Sequence, residues 1–165
     1  MIKQGDVFAV CSRSPFAKII NAVSGWNSPD GESEYNHAGI ITADNGQTFE
    51  ALKTLDYYHL DQYRGRKILI ARPRASSPMP ALLKVILDHK GQTYPFWRLA
   101  LFGWNPLARV ISHKGQFTVC SELVAKYLFH LGVRHGQFTG TTPDRLADEW
   151  VKWRDFDIIF EGEWQ

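Results

Sequence analysis

Two β-rich runs, His37–Thr42 and Gln47–Leu52, lie on either side of Asp44-Asn45-Gly46, and no other feature constrains the fold of this chain so tightly. Asn-Gly readily supplies the left-handed backbone that a tight hairpin turn needs, so the two runs are expected to pair antiparallel. Asp6–Cys11, Lys67–Arg72 and Phe156–Phe160 read as further strands. Helical spacing of apolar residues predicts a helix over Pro15–Ser24 and another over Pro80–Lys90, where Leu82, Leu83, Ile86 and Leu87 share a face and Gly91 suits the C-terminal cap. A third helix, Val119–Leu131, carries the stripe Leu123, Val124, Tyr127, Leu128 and Leu131, with Gly132 just past its end and Thr118 as a candidate N-cap. Thr142-Pro143-Asp144 starts a short helix to about Trp150, because threonine caps well and proline is tolerated at the first helical position. Strands grouped early, helices grouped later and hairpin rather than crossover connections point to an α+β domain with an antiparallel sheet packed against helices.

The 165 residues suit one domain, 1–165, long enough to bury a real core, and no repeat or linker longer than the Ser/Pro-rich run Ala75–Pro80 divides them. Nineteen Lys and Arg against seventeen Asp and Glu leave a net charge of +2, too balanced for a nucleic-acid footprint. The one basic cluster, Arg64, Arg66, Lys67, Arg72 and Arg74, reads as a solvated loop and strand edge. The most apolar stretch, Tyr94–Ile111, is broken by Pro95, Arg98, Gly103, Asn105, Pro106 and Arg109, so no stable membrane insertion is expected. No Sec-type signal is visible, and two cysteines, Cys11 and Cys120, fit a reducing compartment; a cytoplasmic location is the expectation.

The chemistry gathers at three points. Cys120 falls in the first turn of the 119–131 helix, where unpaired N–H groups and the macrodipole favour a thiolate. The same N–H groups could stabilise the oxyanion of a tetrahedral intermediate, an interaction that typically lowers a barrier by roughly 3 kcal/mol. The plain alternative is a small buried hydrophobe, which is what most free cysteines are. A thiolate needs a base and acid near neutral pH, and six histidines compete for that role. His37 opens a strand beside Gly39, a place that could hold an imidazole at a sheet edge without burying it, whereas His59, His89, His113, His130 and His135 fall in loops or on polar helix faces. Glu50 is a lone acid in an apolar strand and could orient the His37 ring. A two-residue turn at Asn45-Gly46 would, however, set Thr54 opposite His37 and Ile41 opposite Glu50, so contact requires a wider loop, a bulge or strong twist. A metal site on His37, Cys120 and a carboxylate lacks the paired spacings His-x-x-x-His or Cys-x-x-Cys, and neither metal nor other cofactor is expected.

Taken in order, Gly5-Asp6-Val7-Phe8, Asn36-His37-Ala38-Gly39-Ile40-Ile41, Phe49-Glu50-Ala51 and Val119-Cys120-Ser121-Glu122-Leu123-Val124 resemble the circularly permuted branch of the NlpC-type papain-like cysteine peptidases, with the YiiX/YaeF-like group nearest. In that branch, as in the related lecithin:retinol acyltransferase group, the histidine strand precedes the cysteine helix. The likeness spans Gly5 to about Gly132. It implies a papain-like fold, Cys120 as nucleophile, His37 as general base and acid, Glu50 as the residue that orients the histidine, and Tyr94 as an aid at the oxyanion site. Family motifs often place an acid directly after that tyrosine, whereas this chain has Pro95 and then Phe96, Trp97, Phe102 and Trp104. The activity implied is a cysteine hydrolase cleaving an amide bond in a peptide, cell-wall peptides included. The alternatives are a lipid amide or ester hydrolase or acyltransferase on the same Cys-His site, and a non-catalytic binding domain.

Overall fold

A computed structural model describes residues 1–13, 33–75, 77–93, 119–134 and 141–165. The expected helix over Pro15–Ser24 lies outside them. Six strands, β1 (Val7–Val10), β2 (His37–Ile41), β3 (Gln47–Ala51), β4 (Leu55–His59), β5 (Lys67–Pro73) and β6 (Phe156–Glu163), form one antiparallel sheet in the order β4-β3-β2-β1-β5-β6. Among the described residues three helices accompany it: α1 (Met79–His89), α2 (Cys120–His130) and α3 (Pro143–Lys152). The fold is α+β, as the patterning predicts.

Period-two alternation sorts the sheet into two buried faces. Val7, Ala9, Ala38, Ile40, Phe49, Ala51, Leu69 and Ala71 meet the apolar stripes of the helices, among them Leu82, Val85, Leu123, Val124, Tyr127, Leu146 and Trp150. On the opposite face Phe8, Val10, Ile41, Ile68 and Ile70 form a second cluster with Leu60 and Tyr63. Burial on both faces explains why β1 reads as a continuous apolar run.

Helix ends follow their local chemistry. Thr142 caps α3 by accepting a hydrogen bond from the Arg145 N–H at 3.2 Å. Helix α2 closes in a Schellman motif, with Val133 N–H on the Leu128 carbonyl and Gly132 N–H on the Phe129 carbonyl, and Gly132 takes the positive φ this closure requires. At its start the N-cap is Val119 rather than Thr118, which lies outside the described residues; valine offers no capping oxygen, and the Glu122 carboxylate instead reaches back to the Val119 N–H.

Two features depart from the sequence reading. Strand β4 was not expected: it is a short edge strand, half open to solvent, whose signal is the aromatic pair Tyr57-Tyr58 and whose Asp56 and His59 disguise the pattern. The connections are also not all hairpins. The chain leaves β4 at one edge and enters β5 beyond β3, β2 and β1, and a 3-10 turn, Leu60–Tyr63, packs on the second face along the way. That crossing bears directly on the site.

Candidate active site

The β2–β3 turn decides whether His37 and Glu50 can meet. It spans four residues, Ala43–Gly46, with Thr42 N–H on the Gln47 carbonyl at 2.7 Å and Gly46 at φ 94°. Contacts from distant segments hold it at that width: Asp44 accepts the Gln4 N–H, the Asn45 carbonyl takes the His59 Nε2–H, and the Gly46 carbonyl takes the Leu60 N–H. The pairing is therefore Gly39 with Glu50, two residues away from the tight-turn register. Glu50 sits diagonal to His37 on one face, and Gly39 between them has no side chain. A Cβ at Gly39 would lie 2.6 Å from Phe8 Cζ and 2.8 Å from Glu50 Cγ. Glycine inside a strand marks a close approach of this kind.

Through that gap His37 Nε2 donates to Glu50 Oε2 at 2.7 Å. Glu50 is fully buried, yet its carboxylate is saturated: Oε1 accepts from Thr48 Oγ1 and, at 3.1 Å, from Gln62 Nε2, while Oε2 also accepts from Tyr63 Oη. A buried carboxylate survives only with such partners. Thr48, Gln62 and Tyr63 carry no catalytic signature in sequence, and sequence reasoning missed all three. Phe8 and Tyr63 wall the imidazole, with ring centroids 6.4 and 5.9 Å from that of His37.

His37 is not at a sheet edge. Strand β2 lies inside the sheet, and the side chain is buried, which corrects the expectation of an unburied ring. It is the first residue of β2, and Cys120, the first helical residue of α2, is close enough to act on the charge of its imidazole. With Nε2 committed to Glu50, the nitrogen left for Cys120 is Nδ1. Burial, the largest influence on the imidazole, disfavours its charge; the nearby Cys120 and the hydrogen-bonded Glu50 override it and push the His37 pKa up to about 10. The first i to i−4 bond of α2 runs from Leu123 N–H to the Val119 carbonyl, so the N–H groups of Cys120 and Ser121 precede the helical ladder beside the thiol.

No protein-family profile and no curated protein sequence matches the chain. Among solved structures, the metalloprotein yiiX from Escherichia coli O157:H7, DUF1105, superposes with a TM-score of 0.61 at 19% identity, covering 99% of this chain and 98% of that one. This chain has a yiiX-like fold. The likeness of architecture is thus end to end, while the low identity carries no activity across. The neighbour's name declares a metal. Here the donors do not fit one. Glu50 commits both oxygens and His37 its Nε2 to protein partners, leaving His37 Nδ1 and Cys120 Sγ. Among the described residues no group of three or more His, Cys, Asp or Glu side chains could hold an ion.

The other predicted residues divide cleanly. Tyr94, the aromatic run Phe96, Trp97, Phe102 and Trp104, and His113 and His135 lie outside the described residues. His59 is engaged with the β2–β3 turn, and His89, buried rather than on a polar face, contacts Gln92 and Lys126. Asp6 takes a bidentate grip from Arg72 at 2.8 and 2.9 Å and accepts the Lys3 N–H, a structural duty at the start of β1. Of the basic cluster, Arg64, Lys67, Arg72 and Arg74 all pair with carboxylates. Among the described residues no helix is long and apolar enough to cross a membrane.

Proposed function

We propose that this chain is a cysteine hydrolase of the permuted NlpC type that cleaves an amide bond in a peptide, cell-wall peptides included, through a thioester on Cys120. The observation that carries the reading is the buried His37 ring, bonded through Nε2 to Glu50 and close enough to Cys120 for each to influence the other, with Cys120 at a helix N-terminus. Two of the six histidines fall outside the described residues, and of the other three that are described, His59, His89 and His130, none meets both a carboxylate and a cysteine.

In this mechanism His37 Nδ1 takes the Sγ proton, and the thiolate adds to the carbonyl carbon of the scissile amide. The carbonyl oxygen becomes an oxyanion, which the Cys120 N–H at the open start of α2 can receive. The His37 imidazolium then gives its proton to the leaving nitrogen, the C–N bond breaks, and a thioester remains. His37, neutral again, removes a proton from water; the hydroxide adds to the thioester, and the acid departs as Sγ regains its proton. Glu50 holds the ring and stabilises its cationic form.

The experiment incubates the protein with peptide, cell-wall peptide and lipid-amide panels, follows new amines, and measures the intact mass for an acyl adduct, alongside Cys120→Ala. Turnover with an adduct on Cys120 is expected from the peptide class, and neither in the variant. Undiminished turnover in Cys120→Ala would overturn the mechanism.

A further inference from the structure

Leu60–Tyr63 is a single 3-10 turn lying where the chain crosses from β4 to β5, and it delivers two consecutive side chains to one carboxylate. Gln62 takes Glu50 Oε1, which Thr48 shares, and Tyr63 takes Oε2. Oε2 is the same oxygen that receives the His37 Nε2–H. One oxygen therefore serves two donors, and one of them is the group that must gain and lose a proton in the proposed reaction.

We propose that Tyr63 is a positioning residue that limits how tightly Glu50 holds the His37 proton. Its hydroxyl draws on the charge of Oε2, so the imidazolium faces a weaker base than an unshared carboxylate would present. The proposal rests on the Cys120-His37-Glu50 reading above and adds to it a device that keeps His37 acidic enough to protonate a leaving nitrogen. The Tyr63 side chain is suited to a donor role that does not itself ionise: it is buried, and burial first, then the charge of Glu50, drives its pKa far above the normal phenol value. The titratable groups facing this pair are Glu50 from β3, Cys120 from α2 and Tyr58 from β4; Phe8, the contact from β1, has none.

Removing the hydroxyl has an unusual predicted sign. In Tyr63→Phe the ring still packs against Phe8 and His37, and Thr48 and Gln62 still anchor Oε1, so Glu50 keeps its place while Oε2 turns wholly to His37. The imidazolium becomes a weaker acid. Loss of a merely structural contact would move it the other way or not at all.

The test is a titration of the ring nitrogens of histidine-labelled full-length protein by NMR, with His37 assigned from its loss in His37→Gln. In Tyr63→Phe the acid dissociation constant of His37 is expected to fall at least about threefold, the effect of losing one hydrogen bond to a charged group. As a second measurement that needs no substitution, biosynthetic 3-fluorotyrosine makes a stronger donor, and the constant should rise; the rise should vanish in Tyr63→Phe labelled in the same way. An unchanged or larger constant in Tyr63→Phe, or no response to fluorotyrosine, overturns the proposal while leaving the triad reading intact. A parent protein in which His37 titrates like a free imidazole overturns both.

Discussion

Gly39→Ala adds one methyl group at the point where β2 and β3 bring the site together. Its Cβ would stand about 0.8 Å inside ordinary contact with Phe8 Cζ and about 0.6 Å inside it with Glu50 Cγ. Neither neighbour yields easily, because Phe8 is fully buried and the Glu50 carboxylate is tied by four side chains. Gly39 does not require a positive φ, so the cost is steric rather than conformational. Overpacking of this kind costs about 1–3 kcal/mol. If Glu50 gives way, its 2.7 Å bond to His37 stretches beyond normal hydrogen-bond length. The expected result is a lower urea midpoint by equilibrium unfolding, together with a His37 NMR titration that moves toward the free-imidazole range. A variant with parental stability and a parental His37 titration would refute the account of Gly39 as the gap through which the pair forms.

Other perturbations follow from the same geometry. Glu50→Gln keeps the side-chain size but removes the charge that sustains the imidazolium, so the His37 pKa should fall from about 10, seen by NMR and as an earlier alkaline loss of any turnover. The His37 pKa is raised in the folded state from the usual 6.5, so its contribution to stability is full below pH 6.5 and is lost as pH rises through about 10. Urea midpoints measured across pH 6 to 10 should therefore fall more steeply for the parent than for His37→Gln. Asp6→Asn breaks the Arg72 grip and should cost roughly 2–3 kcal/mol in unfolding free energy while Cys120 alkylation is unchanged, which separates structural from chemical roles in the Gly5-Asp6 block.

The sequence foretold most of the frame because its signals are local. Apolar, β-rich runs marked five of the six strands, helical spacing and caps marked α1, α2 and α3, and Cys120 stands in the first turn of α2 as expected. Glu50 was harder to place. Asn45-Gly46 argued for a two-residue turn, and the observed four-residue loop is set by Gln4, His59 and Leu60, none of which belongs to the hairpin. The carboxylate's other partners arrive by topology: Gln62 and Tyr63 come on the crossing from β4 to β5, which no periodicity in sequence announces. Gly39 was legible in principle, as a glycine within a strand, but its meaning depends on Phe8 and Glu50 from the neighbouring strands.

The central claim, that His37 and Glu50 activate Cys120, is tested most directly by the alkylation rates of the two cysteines at mildly acidic pH, resolved by peptide mass spectrometry. Burial alone ranks half-buried Cys11 ahead of buried Cys120. Activation reverses that order, because ordinary thiols stay protonated at such pH and a thiolate beside an imidazolium does not. The account predicts that Cys120 reacts faster and that Glu50→Gln and His37→Gln abolish its lead. Equal rates, or a faster Cys11, would contradict it.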